Sequence, residues 1–227
     1  NHLDCVSKMN KLLTSMFALA VASVTAVSAH AQEIKGDAKA AEQKIAMCIG
    51  CHGIKGYQAS FPEVYRVPMI SGQNAKYIVS ALNAYKKGER KHPTMRGIAD
   101  SLSEQDMADL GAYYEQHAKV EPVTKTPKAP DAKVAALLQK GACISCHGDN
   151  FNKPIDPSYP KLAGQHKDFL FVALKSYKTE NQSTWGRNNG VMGGIAKQFS
   201  NAELKAMSAY IASLDGEMKV VPQSKFR

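Results

Sequence analysis

One motif occurs twice in this chain, and the duplication restricts the fold more than any other feature. The motif Cys-x-x-Cys-His lies at residues 48–52 and again at 143–147, 95 residues later. Two flanking stretches repeat with it: PMISGQNAKYIVSALNAYK resembles PKLAGQHKDFLFVALKSYK, and IADSLSEQDMADLGAYY resembles IAKQFSNAELKAMSAYI. Self-similarity along a chain is the signature of a repeated structural unit. The sequence therefore predicts two copies of one small domain.

Each copy predicts an all-α domain with three helices. The first helix runs into the cysteine motif, and the second covers 74–86 or 166–178, where apolar residues recur at helical spacing. The third begins at Ser103 or Ser200, each followed three residues later by an acid, as in a capping box. No stretch alternates with the period of a strand. Such a short three-helix unit buries little surface, so we expect a metal, disulfide or cofactor to complete its core.

The predicted boundaries are 32–119 for the N-terminal domain, 120–130 for a linker with three prolines, and 131–227 for the C-terminal domain. Residues 1–31 are predicted to be a secretory signal peptide, with two lysines, an apolar run and the cleavage site Ala29-His30-Ala31. The apolar run is shorter than the about 20 residues of a spanning helix, although retention as an anchor stays open. Residues 1–8 are expected to be upstream, non-native sequence, so Cys5 is given no role.

Two cysteines at this spacing serve three chemistries: a redox disulfide, half of a zinc site, and covalent haem attachment. A thioredoxin-like disulfide belongs in a βαβ unit, which neither copy contains. A zinc site needs four ligands, whereas each pair lies in a repeat that is complete alone. In an exported protein free thiols rarely persist, and attachment uses all four cysteines. We therefore predict two covalently bound haem c groups, on Cys48 and Cys51 and on Cys143 and Cys146.

The axial ligands of the two irons follow from the same repeat. His52 and His147 directly follow the second cysteine and are the predicted proximal ligands. Methionine is the usual partner of histidine in cytochromes c, and only Met95 and Met192 recur as methionine in both copies. Both are predicted to lie in loops rich in Gly, Pro or Asn, while the other methionines are expected to fill the core. His92 is the main rival ligand in the first copy.

The chain resembles the dihaem cytochromes c of the cytochrome c4 type, in which two class I cytochrome c domains are fused. The resemblance covers nearly all of 33–215 and rests on C-I-G-C-H-G and C-I-S-C-H-G, on both P-x-x-x-G-Q stretches, and on M-R-G-I-A with M-G-G-I-A. It implies two tandem all-α domains, each wrapped around its haem.

The resemblance also implies roles for residues near each haem. The carbonyls of Pro68 and Pro160 would accept hydrogen bonds from Nδ1–H of the two axial histidines, the contact that fixes such a ligand. Tyr85 and Tyr177 would lie near the haem propionates, although on sequence alone their positions are more typical of core aromatics.

Charge bears on the partners of this protein. The chain carries a net charge of +9, and the excess lies mainly in 131–227, with 13 basic and 8 acidic residues against 12 and 10 in 32–119. Binding to nucleic acid is not expected, because the chain is predicted to be exported and no basic run is interleaved with aromatics. The charge favours steering towards an acidic protein and is compatible with loose association with a membrane surface.

The functional expectation is a periplasmic electron carrier rather than an enzyme. By resemblance, it transfers single electrons between redox proteins, with a quinol-oxidising complex as donor and a terminal oxidase as acceptor. Two alternatives stay open. A dihaem oxidoreductase such as a peroxidase needs one iron with an open sixth position. An electron-accepting cytochrome subunit would bind a dehydrogenase stably.

Overall fold

The computed structural model describes residues 34–118, 128–179 and 182–223. The described residues belong to one compact unit. The predicted signal peptide, Cys5 and most of the predicted linker at 120–130 lie outside the described residues. The proposed boundaries between signal, domains and linker therefore stay predictions.

The described part of the chain is mostly helical, as predicted. A 3₁₀ turn at Ala40–Gln43 precedes the first copy's helices, which have these bounds: α1 Ala46–His52, α2 Ala75–Lys86, α3 Pro93–Asp100 and α4 Glu104–His117. The second copy follows with α5 Ala132–Lys140, α6 Cys143–His147, α7 Lys167–Tyr177, α8 Gly190–Ala196 and α9 Asn201–Ala212. Three helices correspond between the copies, with α2 matching α7, α3 matching α8 and α4 matching α9.

The last helix of each copy begins where the sequence predicts. At Ser103 the side chain accepts a hydrogen bond from the backbone N–H of Asp106, whose carboxylate accepts the N–H of Ser103 in return. Ser200 and Glu203 make the same pair of bonds at the start of α9. Both predicted capping boxes are confirmed, and each satisfies backbone donors that a helix start otherwise leaves free.

The prediction that Met95 and Met192 lie in loops is wrong, because each lies in a short helix that the sequence analysis did not foresee. In α3 the N-cap residue is His92, whose ring accepts from the N–H of Met95, and proline occupies the first helical position. In α8 the N-cap is Asn189, whose side chain accepts from the N–H of Met192. Local capping therefore outweighs the low helix propensity of the glycines around these methionines.

Each copy has its own apolar core. In the first copy the core residues are Ala41, Ile45, Ile49, Ile78, Leu102, Met107, Leu110 and Tyr114. In the second they are Val134, Leu137, Leu138, Phe151, Ala163, Leu170, Phe199, Leu204, Met207, Ile211 and Leu214. The helix pairs α2–α4 and α7–α9 pack together in both copies. Separate cores are what two fused domains require.

Four two-residue strands, within the described residues, depart from the purely helical prediction. β1 (Gln58–Ala59) pairs antiparallel with β2 (Tyr65–Arg66) in the first copy. β3 (Arg90–Lys91) pairs antiparallel with β4 (Gly186–Arg187), and this pair joins the two copies. Segments this short carry no readable periodicity, and the second pair depends on docking between copies.

A close backbone crossing at Gly36 fixes the start of the first domain on α4. A Cβ atom at this position would lie 2.1 Å from the carbonyl oxygen of Ala108 and 3.1 Å from Cβ of Ala112. The next residue strengthens the crossing, because the N–H of Asp37 donates to Oδ1 of Asp109 at 2.7 Å. Only glycine allows this approach.

We therefore expect Gly36→Ala to destabilise the holoprotein by about 1–3 kcal/mol, since the added methyl must push the two segments apart. Denaturant unfolding followed by far-UV circular dichroism measures this change. Gly97→Ala is the matched control, because its Cβ would meet no atom within 4 Å. An equal loss of stability in both variants would contradict the close-crossing argument.

Candidate haem sites

In the first domain, the predicted site residues meet at one cavity. Cys48, Cys51 and His52 reach its wall from α1, and Met95 reaches it from α3. The cavity measures about 480 Å³, within the usual range of about 300–1,000 Å³ for sites that hold a small molecule or cofactor. The structure thus brings together all four residues predicted for the first site.

The cavity is lined mainly by apolar side chains, which suits a porphyrin ring. Members of this lining come from all parts of the domain: Ile70, Ile78, Leu82, Ile98, Leu102 and Leu110. Leu162 and Phe169 of the second domain also line it, so the cavity reaches the interface between the domains.

The imidazole of His52 is oriented by a hydrogen bond to the backbone. Its Nδ1–H donates to the carbonyl oxygen of Pro68 at 2.8 Å, as the family resemblance predicts. Burial lowers the pKa of His52, although the bond to Pro68 opposes this shift. A neutral imidazole with its proton held on Nδ1 has a free lone pair on Nε2, which is the form that binds a metal.

The second domain repeats this arrangement at α6. The Nδ1–H of His147 donates to the carbonyl oxygen of Pro160 at 3.3 Å, which confirms the second predicted contact. Burial lowers the pKa of His147 as well. Cys143 lies one turn before the histidine on the same short helix, and Cys146 directly precedes it. Met192 occupies in α8 the position that Met95 has in α3, three residues after the N-cap.

None of the four cysteines of the two motifs is joined in a disulfide. Burial raises the pKa of Cys48 to about 11 and also raises the pKa of Cys143. Redox-active and metal-binding cysteines instead have a lowered pKa, because the thiolate is the reactive form. No group of three or more His, Cys, Asp or Glu side chains suited to a metal ion occurs among the described residues, so the two pairs do not meet in one site.

Two arginines at the domain interface were missed by the sequence analysis. Arg90 and Arg187 face each other across the β3–β4 pair. The guanidinium of Arg90 lies 5.2 Å from the ring centre of Tyr77, and that of Arg187 lies 5.4 Å from the ring centre of Tyr177. No carboxylate forms an ion pair with either arginine within the described ranges. The sequence does hold a signal for them, because each arginine stands five residues before a candidate methionine ligand.

The tyrosines predicted near the propionates lie beside these arginines. Tyr85 lines the cavity and lies 5.8 Å from the guanidinium of Arg90. Burial alone would raise the pKa of Tyr177, but the positive charges of Arg187 and Arg90 outweigh it and lower the pKa. The two guanidinium groups at the β3–β4 pair therefore form a positively charged part of the interface. Elsewhere at the interface, Asp168 pairs with Arg66 and Glu63 pairs with Lys175.

Comparison with known proteins decides the family. Residues 38–118 and 132–215 each match the family described as Cytochrome c. The chain belongs to the cytochrome c family. Its two-domain form agrees with the cytochrome c4 type, because it is 30% identical over 223 residues to cytochrome c4 of Azotobacter vinelandii, a match that covers 91% of this chain and all of that protein.

Solved structures give the same result. The crystal structure of reduced recombinant cytochrome c4 from Pseudomonas stutzeri is 29% identical, covers 79% of this chain and all of its own, and superposes with a TM-score of 0.59. A further relative, the thiosulfate dehydrogenase electron acceptor of Stutzerimonas stutzeri strain A1501, is 28% identical and covers 85% of this chain and 89% of its own length.

This cytochrome binds two haems covalently, one at each Cys-x-x-Cys-His motif, and the first domain's cavity, its two cysteines outside any disulfide and its neutral histidine fit that cofactor. It is an electron-transfer protein rather than an enzyme, and it works with redox partners. Across residues 34–118, 128–179 and 182–223, no helix is long and apolar enough to cross a membrane.

Because the haems are attached covalently, removing the cysteines of one motif should reduce the number of haems per chain. We expect the double variant Cys143→Ala with Cys146→Ala to carry one haem per chain, because only the first motif can form thioethers. Mass spectrometry of the denatured protein and a pyridine haemochrome assay measure the count. Cys48→Ala with Cys51→Ala is the mirror control, and retention of two covalent haems by either variant would contradict the assignment.

Proposed function

We propose that His52 with Met95, and His147 with Met192, are the axial ligand pairs of the two haem irons. The observation that carries this proposal is the shared cavity of Cys48, Cys51, His52 and Met95, together with the matching position of the second set. We also assign the haem propionates to Arg90 and Arg187, whose charges they would neutralise.

The capping geometry supports Met95 over His92 as ligand. Nδ1 of His92 accepts the N–H of Met95 at 3.4 Å, so His92 serves as the N-cap of the helix that carries Met95. The same bond holds the backbone of Met95, and Asn189 does the same for Met192 at 2.9 Å.

When bound, each haem supplies an iron that gains and loses one electron. The chain's contribution is to keep each site rigid and apolar, so that little rearranges when the charge changes. The bonds to Pro68 and Pro160 hold the histidines, and the capping residues hold the methionines. Methionine sulfur and an apolar surrounding favour the reduced state.

We propose that the protein is exported to the periplasm, where it accepts electrons from a quinol-oxidising complex and passes them to a terminal oxidase. The second domain has exposed large apolar side chains at Ile144, within its haem motif, at Ile155 and at Val191, of which Ile155 and Val191 are 71% and 69% exposed. Basic residues are in excess in this half of the chain. Exposed apolar side chains on a basic domain suit brief docking to an acidic partner.

If charge steers this docking, the second-order rate of electron exchange with an acidic redox partner will fall as ionic strength rises. Stopped-flow measurements between about 20 and 200 mM salt test this, since the Debye length shrinks over that range. A neutral small-molecule reductant serves as control and is expected to show little dependence. If the rate with the partner does not change with salt concentration, electrostatic steering is contradicted.

Replacing one methionine tests the ligand assignment. We expect Met95→Ala or Met192→Ala to leave both haems attached, to make one iron bind cyanide or carbon monoxide, and to lower its potential, because the sulfur ligand is lost. Optical titration and spectroelectrochemistry measure these effects. Met47→Ala is the control, since Met47 lines the same cavity but has no methionine counterpart in the second copy.

A normal low-spin spectrum and potential in either variant would refute that ligand. Rapid ligand binding by the unaltered protein would instead favour the peroxidase alternative, because it requires an open iron.

A second candidate function is that of an electron-accepting subunit of a dehydrogenase. It is favoured by the similarity to the thiosulfate dehydrogenase electron acceptor. Affinity purification at native expression levels distinguishes the two functions. Stoichiometric co-purification of a catalytic subunit supports this candidate, whereas isolation as a free protein supports the carrier.

A further inference from the structure

Two buried glutamines join the domains in a symmetric way. Gln73 and Gln165 follow the glycine of each P-x-x-x-G-Q stretch and are each only 4% exposed. The side chain of Gln165 bonds across the interface to both backbone groups of Met69, and the side chain of Gln73 bonds to both backbone groups of Lys161. Each glutamine thus contacts the residue that follows the histidine-binding proline of the opposite domain.

The orientation of each amide is fixed by its partners. Oε1 of Gln165 accepts the N–H of Met69 at 3.1 Å and of His166 at 3.0 Å, and Nε2 donates to the carbonyl of Met69 at 2.9 Å. The last hydrogen of Nε2 points to the sulfur of Met218 at 3.6 Å. All four hydrogen bonds of this amide are therefore used.

Gln73 makes the mirror set. Its Oε1 accepts the N–H of Lys161 at 2.9 Å and of Asn74 at 3.0 Å, and its Nε2 donates to the carbonyl of Lys161 at 3.0 Å and to the sulfur of Met218 at 3.3 Å. One sulfur thus accepts from both glutamines. Met218 is 2% exposed and lies beyond the family matches, which end at residue 215.

The peptide unit contacted by each glutamine is the one that holds an axial histidine. The N–H of Met69 and the carbonyl of Pro68 belong to the same peptide. Its oxygen accepts from Nδ1–H of His52, and its N–H donates to Gln165. In the other domain, the peptide between Pro160 and Lys161 accepts from His147 and donates to Gln73. Hydrogen bonds in such a chain polarise and strengthen one another.

We propose that each interface glutamine sets the reduction potential of the haem in the opposite domain. By accepting the peptide N–H, Gln165 makes the Pro68 oxygen a stronger acceptor and makes His52 a more basic ligand. A more basic ligand stabilises the oxidised iron and lowers the potential of the first haem. Gln73 acts in the same way, through His147, on the second haem. This inference rests on the proposed axial roles of the histidines.

The proposal predicts that a variant in one domain changes the potential of the haem in the other domain. We expect Gln165→Leu to raise the potential of the first haem and Gln73→Leu to raise that of the second. Each change would alter the equilibrium for moving one electron between the haems by roughly two- to tenfold, in opposite directions, the size expected for one lost hydrogen bond. Spectroelectrochemistry gives the potentials. NMR of the ¹⁵N-histidine-labelled reduced protein assigns them, because the Nδ1–H signal of the affected histidine should move upfield.

Matched variants separate this effect from general loosening of the interface. Asn74→Ala removes an uncharged interdomain bond, from Nδ2 to the carbonyl of Tyr159 at 3.2 Å, and should leave both potentials unchanged. Met218→Leu removes the shared sulfur and should shift both haems in the same direction by a smaller factor. If a leucine variant fails to fold, Gln165→Met and Gln73→Met remove the same acceptors within a similar volume.

The proposal is overturned if each variant alters the haem of its own domain, if both haems shift equally in the glutamine variants, or if Asn74→Ala gives the same shifts. Failure of the axial-ligand assignment would give a different result. The unaltered protein itself would then lack two low-spin haems with protected histidine Nδ1–H signals.

Discussion

The hydrogen bond from Nδ1–H of His52 to the carbonyl of Pro68, with its counterpart at His147 and Pro160, is the contact around which each domain is organised. It fixes the proton on one side of the ring and leaves the other nitrogen free for the metal. It also fixes where the following Gly-Gln segment runs, because that segment continues from the proline. The position of the domain interface therefore depends on how each histidine is held.

Each domain is small, and the apolar core of the first surrounds a cavity instead of closing on itself. In the first domain that cavity is about 480 Å³ and is reached by side chains from α1, α2, α3 and α4. A core with such an opening loses the dispersion contacts that would otherwise hold its helices together. The covalent haem supplies them, so the cofactor is a structural part of the fold as well as its redox centre.

Sequence alone predicts the duplication, the helical class and the capping boxes at Ser103 and Ser200, because each is carried by local residues that recur in both copies. The histidine contacts are predicted by the family resemblance instead. It does not predict the helices around Met95 and Met192, where a single N-cap hydrogen bond outweighs glycine-rich composition. It also misses Arg90, Arg187 and Met218, whose roles arise only when the two domains dock. Contacts between elements distant in sequence leave no periodicity to read.

The segment after α9 packs against the first domain, and this contact bears on how the two domains assemble. The N–H of Lys219 donates to the carbonyl of Ser71, and a Cβ at Gly72 would lie 2.5 Å from the carbonyl of Glu217, so this segment lies directly on the first domain. It belongs to the last part of the second domain and is synthesised after all the other elements described. Docking of the two domains can therefore be completed only after the second domain has been made almost to its end.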